Sequence, residues 1–286
     1  MNRAFCCLLL AALPGSSQVG SIAIYTQFQH EPPKAVLSAI QEEASALMAP
    51  AGLRLQWKSL PSTGREVSSA VAVVTFQGRC TVANPRTQPK WETRLGWSHV
   101  SNGEVLPFAG IDCDSILGFV YERLLAAPTW ERDQVLGRAI GRVLAHEFDH
   151  IFAETVDHGA RDMDQPEYTV EKLVAPSLDS GAANRHILRP AASEPGAAWV
   201  GSARAGAAAF AVSGCSTCHG AHGEGSRRGP VLHAAGRLLN TVMLATRLAR
   251  AEQKMWQRAA ALKLPPPSLE ETEIQDVVSF LNQMDQ

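Results

Sequence analysis

Two cysteines three positions apart, with a histidine directly after the second, stand at Cys215-Ser216-Thr217-Cys218-His219. Each thiol of such a pair can form a thioether to one vinyl group of haem, and the adjacent imidazole then lies under the iron as an axial ligand. Other uses of the pair make demands that the surrounding sequence meets poorly. A zinc knuckle needs a second Cys/His pair nearby, and His222 and His233 stand at poor spacing for one. A thioredoxin-type redox pair sits in a βαβ context, whereas Ala203 to Ser213 reads as a helix.

A second constellation, His146-Glu147-Phe148-Asp149-His150, falls on a helical pattern. His146 and His150 are one turn apart, so both imidazoles can meet one ion, and they continue an apolar stripe through Ala139 and Val143. The chemistry this suits is a zinc centre. Glu147 lies beside the pair and can take a proton from a zinc-activated water as general base without itself being a ligand. Such a centre needs a third protein ligand. His158, in Thr155-Val156-Asp157-His158-Gly159, is the leading candidate, and Gly159 could turn the chain back toward the metal. Glu154, Glu167 and Glu171 are rivals. His30, His99 and His186 have no partners at ligand spacing.

The elements that must position these groups follow from periodicity. Ser21–Tyr25 reads as a first strand, and Ala35–Met48 as a helix opened by Pro32-Pro33 and closed by Pro50-Ala51-Gly52. Leu53–Trp57 alternates as a strand does, and Ala70–Phe76 is an apolar, β-branched run suited to a central strand. Leu95–Ile111 reads as one or two strands turning at Ser101-Asn102-Gly103, because Asn-Gly supplies the positive φ of a tight hairpin. A long helix over Asp133–Phe152 then presents the histidines. The expected organisation is two domains: an α+β layered domain over 20–188 with a mixed sheet, and an all-α domain over 203–286. An Ala-, Gly-, Ser- and Pro-rich linker over 189–202 would join them.

In the second domain Gly229-Pro230-Val231-Leu232 follows the haem motif. Ser268-Leu269-Glu270-Glu271 has the form of a capping box, and Ile274, Val277, Val278 and Leu281 make one stripe on a last helix. From Ala203 to Met284 the segment resembles small class I cytochromes c. The resemblance implies crossed N- and C-terminal helices over a covalent haem c pocket, and Pro230 offering its carbonyl to the second ring nitrogen of His219. It also implies a Met sulfur as sixth iron ligand. Met243 lies among Leu239, Val242, Leu244 and Leu248, as a core residue would. Met255, in Gln253-Lys254-Met255-Trp256 between the helix and Pro265-Pro266-Pro267, is the candidate similar to the family's ligand position. The first domain resembles the zincin metallopeptidases in its His-Glu-x-x-His helix after a mixed sheet and in the histidine that follows. It departs from the metzincin pattern, where a glycine stands three residues, and the third histidine six, after the second. Ala153 holds that glycine place, Val156 and His158 straddle the histidine's, and no Met-turn is evident.

Export is the expected context. Met1-Asn2-Arg3 carries one charge, Ala4 to Leu13 is an apolar run, and Pro14-Gly15-Ser16-Ser17 follows, the layout of a signal peptide over 1–19. Removing it takes Cys6 and Cys7 away and leaves Cys80 and Cys113 for a disulfide, which a periplasmic or secreted protein can keep. No later stretch reaches the roughly 18 apolar residues of a membrane span. A net charge of −2 without a Lys/Arg block gives no footprint for nucleic acid. The expected function is a zinc-dependent, peptidase-like domain joined to a monohaem cytochrome that exchanges electrons with a redox partner protein, the substrate being a peptide or protein. The alternative is an electron-transfer protein whose first domain is a catalytically silent docking or structural module.

Overall fold

The structure is a computed structural model that describes residues 20–59, 68–82, 94–156, 168–177, 188–189, 201–232, 239–270 and 273–283. The signal segment over 1–19, His158, Glu167 and most of the linker lie outside those residues.

The first domain is built on five strands: β1 (Gly20–Phe28), β2 (Leu53–Ser59), β3 (Ala70–Gln77), β4 (Gly96–Ser101) and β5 (Glu104–Asp112). They lie in the order β2-β1-β3-β5-β4, all parallel except β4, which is antiparallel to β5. The Ala70–Phe76 run is the central strand, paired with β1 on one side and β5 on the other, and its alternate residues Ala72, Val74 and Phe76 are buried. The β4–β5 hairpin turns at Asn102 (φ 52°) and Gly103 (φ 81°), as the Asn-Gly pair demands.

Helix α1 (Lys34–Met48) buries Val36, Ile40, Ala44 and Met48, one residue per turn, as its spacing requires. Helix α2 (Cys113–Ala126), which the periodicity reading passed over, starts directly from the end of β5 with Asp112 as its N-cap: its carboxylate accepts from the Ser115 N–H at 2.9 Å. Cys80 and Cys113 are disulfide-bonded and tie α2 to the end of β3. Helix α3 (Arg132–Ala153) is buried along most of its length and packs closely on α1. A Cβ at Gly137 would meet the Val36 carbonyl at 2.6 Å, so only glycine allows this approach. Inside the crossing Arg142 is fully buried and donates to Glu43 Oε1 at 2.7 Å. The short helix α4 (Val170–Val174) completes this layer.

The second domain contains α5 (Ala203–Val212), α6 (Ser216–His219), α7 (Thr241–Ala261) and α8 (Ile274–Asn282). Helices α5 and α8 cross, and Phe210, Val277, Phe280 and Leu281 join Leu239, Met243 and Leu244 from the α7 side in one core. Two features differ from the sequence expectation. Helix α7 runs on through Met255 to Ala261, so that methionine is helical and not in a connecting turn. The last helix starts from Glu273 and not from Ser268. Leu269–Glu270 is instead strand β7, paired with β6 (Leu188–Arg189), and the Glu273 carboxylate accepts from the Glu270 N–H at 2.8 Å. The domains also share a core. Val242 and Ala249 of α7, one heptad apart on one face, are buried among the first-domain residues.

Candidate functional site: a haem-attachment segment and a paired-histidine centre

The haem motif follows immediately on α5. Cys215 lies half-buried against the second core, with its N–H donating to the Phe210 carbonyl at 3.1 Å, and the next residues wind into α6. Both thiols are free, and burial pushes that of Cys215 up to about 11. His219 closes the short helix and is buried. Its Nδ1 lies 2.8 Å from the Pro230 carbonyl oxygen. A carbonyl can only accept, so the proton is on Nδ1 and the lone pair of Nε2 is left for a metal.

The residues present fit a covalently held haem. Two free thiols and a histidine in the required register lie at the edge of the core, the histidine's tautomer is fixed, and Met255 packs against the same core. Met243, by contrast, is buried inside that core. The indole Nε1 of Trp256, next to Met255, is a buried donor with no hydrogen-bond partner among the described residues. His222, offered for a zinc knuckle, has its ring 6.1 Å from that of Phe280 instead.

In the first domain α3 brings His146 and His150 together as the one-turn spacing demands. Their Nε2 atoms are 3.1 Å apart, both side chains are buried, and the ring planes are nearly perpendicular. His150 Nδ1 donates to the Thr155 carbonyl at 2.8 Å, which leaves its Nε2 lone pair toward His146. Two nitrogens at this separation are close enough to serve together as ligands of one ion. Glu147 is buried beside them, and Ser98 of β4 donates to its Oε2 at 2.6 Å. Burial raises the Glu147 carboxyl to about 7 against the opposing pull of Ser98 and Arg94.

The third ligand is less well supplied. Among the described residues no group of three or more His, Cys, Asp or Glu side chains is placed to hold a metal ion. Glu154 does not extend the histidine face, because α3 ends at Ala153 and Glu154 turns left-handed with φ 50°. Glu171 is exposed and paired with Arg123 at 3.1 Å. The leading candidate, His158, and Glu167 lie outside the described residues.

Sequence reasoning missed three groups here. Ser98 is reached only through strand pairing. Tyr168 lies against His146 with ring centroids 5.3 Å apart, its hydroxyl buried and without a hydrogen-bond partner among the described residues. Burial, with Glu147 and Asp149 nearby, holds its phenol well above the ordinary value. Arg247 of α7 donates from Nε to the Ala153 carbonyl at 3.0 Å. No spacing rule signals any of the three.

No helix among the described residues is long and apolar enough to cross a membrane. No curated protein and no solved structure matches the chain. Residues 203–285 match the family model described as Cytochrome c. The part of the chain that holds Cys215, Cys218 and His219 is therefore a cytochrome c domain, and its chemistry is haem-based electron transfer.

Proposed function

We propose that the chain is an exported two-metal protein: a monohaem electron carrier fused to a zinc-dependent, peptidase-like domain. In the cytochrome c domain Cys215 and Cys218 would hold the haem, and His219 and Met255 would offer the iron a nitrogen and a sulfur. Haem so ligated supplies one-electron exchange with a redox partner protein. Ligation by both His219 and Met255 would favour electron transfer over oxygen or peroxide chemistry. The Pro230 carbonyl orients the His219 ring. The Cys80–Cys113 disulfide and the attachment of haem both accord with export by a signal peptide over 1–19.

The observation that carries the zinc reading is the meeting of His146 Nε2 and His150 Nε2 at 3.1 Å beside the buried Glu147. Zinc there supplies Lewis acidity. Glu147 accepts a proton from the attacking water and returns it to the leaving amine, while Ser98 holds its Oε2 in place. β4 is the edge strand next to Glu147, and an extended peptide substrate can pair with such an edge. The mixed sheet with its antiparallel edge, packed by the helix that carries both histidines, supports the zincin-like reading.

The test is metal analysis and peptide hydrolysis on the haem-loaded protein with and without a chelator. The expected result is one zinc per haem and chelator-sensitive cleavage, with Glu147→Ala abolishing cleavage while zinc stays bound. Undiminished cleavage by that variant refutes the mechanism. A second reading, electron transfer with a catalytically silent first domain, is favoured by the lack of a third metal-holding group among the described residues. Zinc binding without cleavage would select it.

A further inference from the structure

Helix α3 ends in a turn that involves His150 twice. Glu154 is left-handed, its N–H donates to the Ile151 carbonyl at 3.3 Å, and the Thr155 N–H donates to the His150 carbonyl at 3.1 Å. This is the double-bonded helix stop in which glycine usually takes the left-handed position. Here that position carries a side chain, and such a backbone is disfavoured for any residue with a Cβ. The same turn carries the Thr155 carbonyl that receives the proton of His150 Nδ1. The tautomer and the ring angle of His150 therefore depend on a turn that its own sequence does not favour.

A neighbour from the other domain holds that turn. The last turn of α3 contains no Lys or Arg. The Arg247 guanidinium, on α7, donates to the carbonyl of Ala153, the residue just before the left-handed one. A cation bonded to a terminal carbonyl satisfies an acceptor the helix cannot and complements the negative end of its dipole. Arg247 stands on a fixed base, since Val242 and Ala249 on either side of it are buried in the first-domain core. The same helix continues to Met255 beside the haem motif's core.

We infer that Arg247, from the cytochrome c domain, is a positioning residue for His150, so that metal binding at the paired histidines depends on the docking of α7. This deepens the zinc reading above and rests on it for its metal arm, while its imidazole arm stands without metal. The route is a chain of contacts: Arg247 to the Ala153 carbonyl, through the Glu154 turn, to the Thr155 carbonyl, and from there to His150 Nδ1.

The experiment uses the full haem-loaded chain. In metal-free protein, nitrogen NMR of labelled histidine reports which ring nitrogen of His150 carries the proton. The wild type is expected to hold it on Nδ1. Arg247→Ala is expected to give a mixture of tautomers with haem absorption and helix content unchanged, and Arg247→Lys, which keeps a cationic donor, to restore the wild-type state in part. If Arg247→Ala does not fold, Arg247→Gln serves in its place. His150 signals identical to wild type in a folded, haem-loaded Ala or Gln variant overturn the inference. Titration with Zn²⁺ alone then reads the consequence, a dissociation constant raised about tenfold by Arg247→Ala, the lower end of what outer partners of a ligand contribute. A wild-type protein that binds no zinc refutes the metal reading, while the tautomer comparison still decides the role of Arg247.

Discussion

Gly206→Ala tests the helix crossing that frames the haem domain. Gly206 lies on α5 where it meets α8, and a Cβ there would fall on the Asp276 carbonyl, nearer than real Cβ atoms come, and within 2.9 Å of the Phe280 Cβ. On a free helix the change would stabilise by about 1 kcal/mol, because alanine is the better helix former. Within the crossing it forces the helices apart. The obstruction is mainly backbone and cannot rotate away, so the overpacking cost sits near the upper end of about 1–3 kcal/mol. The Phe210–Phe280 contact, with ring centroids 5.6 Å apart, loosens with it. The net loss is about 2 kcal/mol, a factor of roughly 30 in the unfolding constant. For a domain of this size that lowers the midpoint by about 8–16 °C. Thermal unfolding followed at the haem absorption band reads the effect in the domain that carries the substitution. A variant as stable as wild type, or more so, would show that α5 and α8 do not meet as closely as described.

Three further outcomes follow from the same geometry. Met255→Leu should abolish the weak long-wavelength band of the oxidised protein while Met243→Leu preserves it, and the reverse pattern would move the iron's sulfur ligand to Met243. Replacing Cys80 and Cys113 together by serine removes a bridge spanning 33 positions, which by the loop-closure relation lowers stability by about 3–4 kcal/mol. Denaturant unfolding of the first domain should reveal it, and an unchanged midpoint would count against that value. Glu43→Leu strips the buried Arg142 guanidinium of its carboxylate and should destabilise by about 3–5 kcal/mol, whereas Glu43→Leu combined with Arg142→Met should recover much of the loss, because two apolar side chains leave no unpaired charge.

The readable parts of the fold are those in which one residue type decides one local geometry. The Asn102-Gly103 hairpin, the central β3 strand and the one-turn histidine pair all depend on spacings within a few residues, and spacing is what a sequence displays. Helix α2 escaped because the last residue of β5 is also its cap: strand passes to helix at Asp112 with no Gly or Pro between. Ser268–Glu271 has the composition of a helix start, yet pairing with Leu188–Arg189 makes part of it a strand, so a contact distant along the chain overrode a local preference. At the candidate sites, the Cys-x-x-Cys-His motif was legible in the sequence, and the Pro230 carbonyl beside His219 through the cytochrome c resemblance. Ser98, Tyr168 and Arg247 were not, because each reaches its place across the tertiary structure.

Helix α7 has two owners, and the linker is consequently not the joint it resembles. A protease cut between residues 190 and 200 would sever the covalent path, yet Val242, Ala249 and Arg247 would still clasp the first domain. The two fragments should travel together on a sizing column and part only in denaturant. The cytochrome c domain is thus lodged against its neighbour by its own helix and does not depend on the connecting chain alone to stay there.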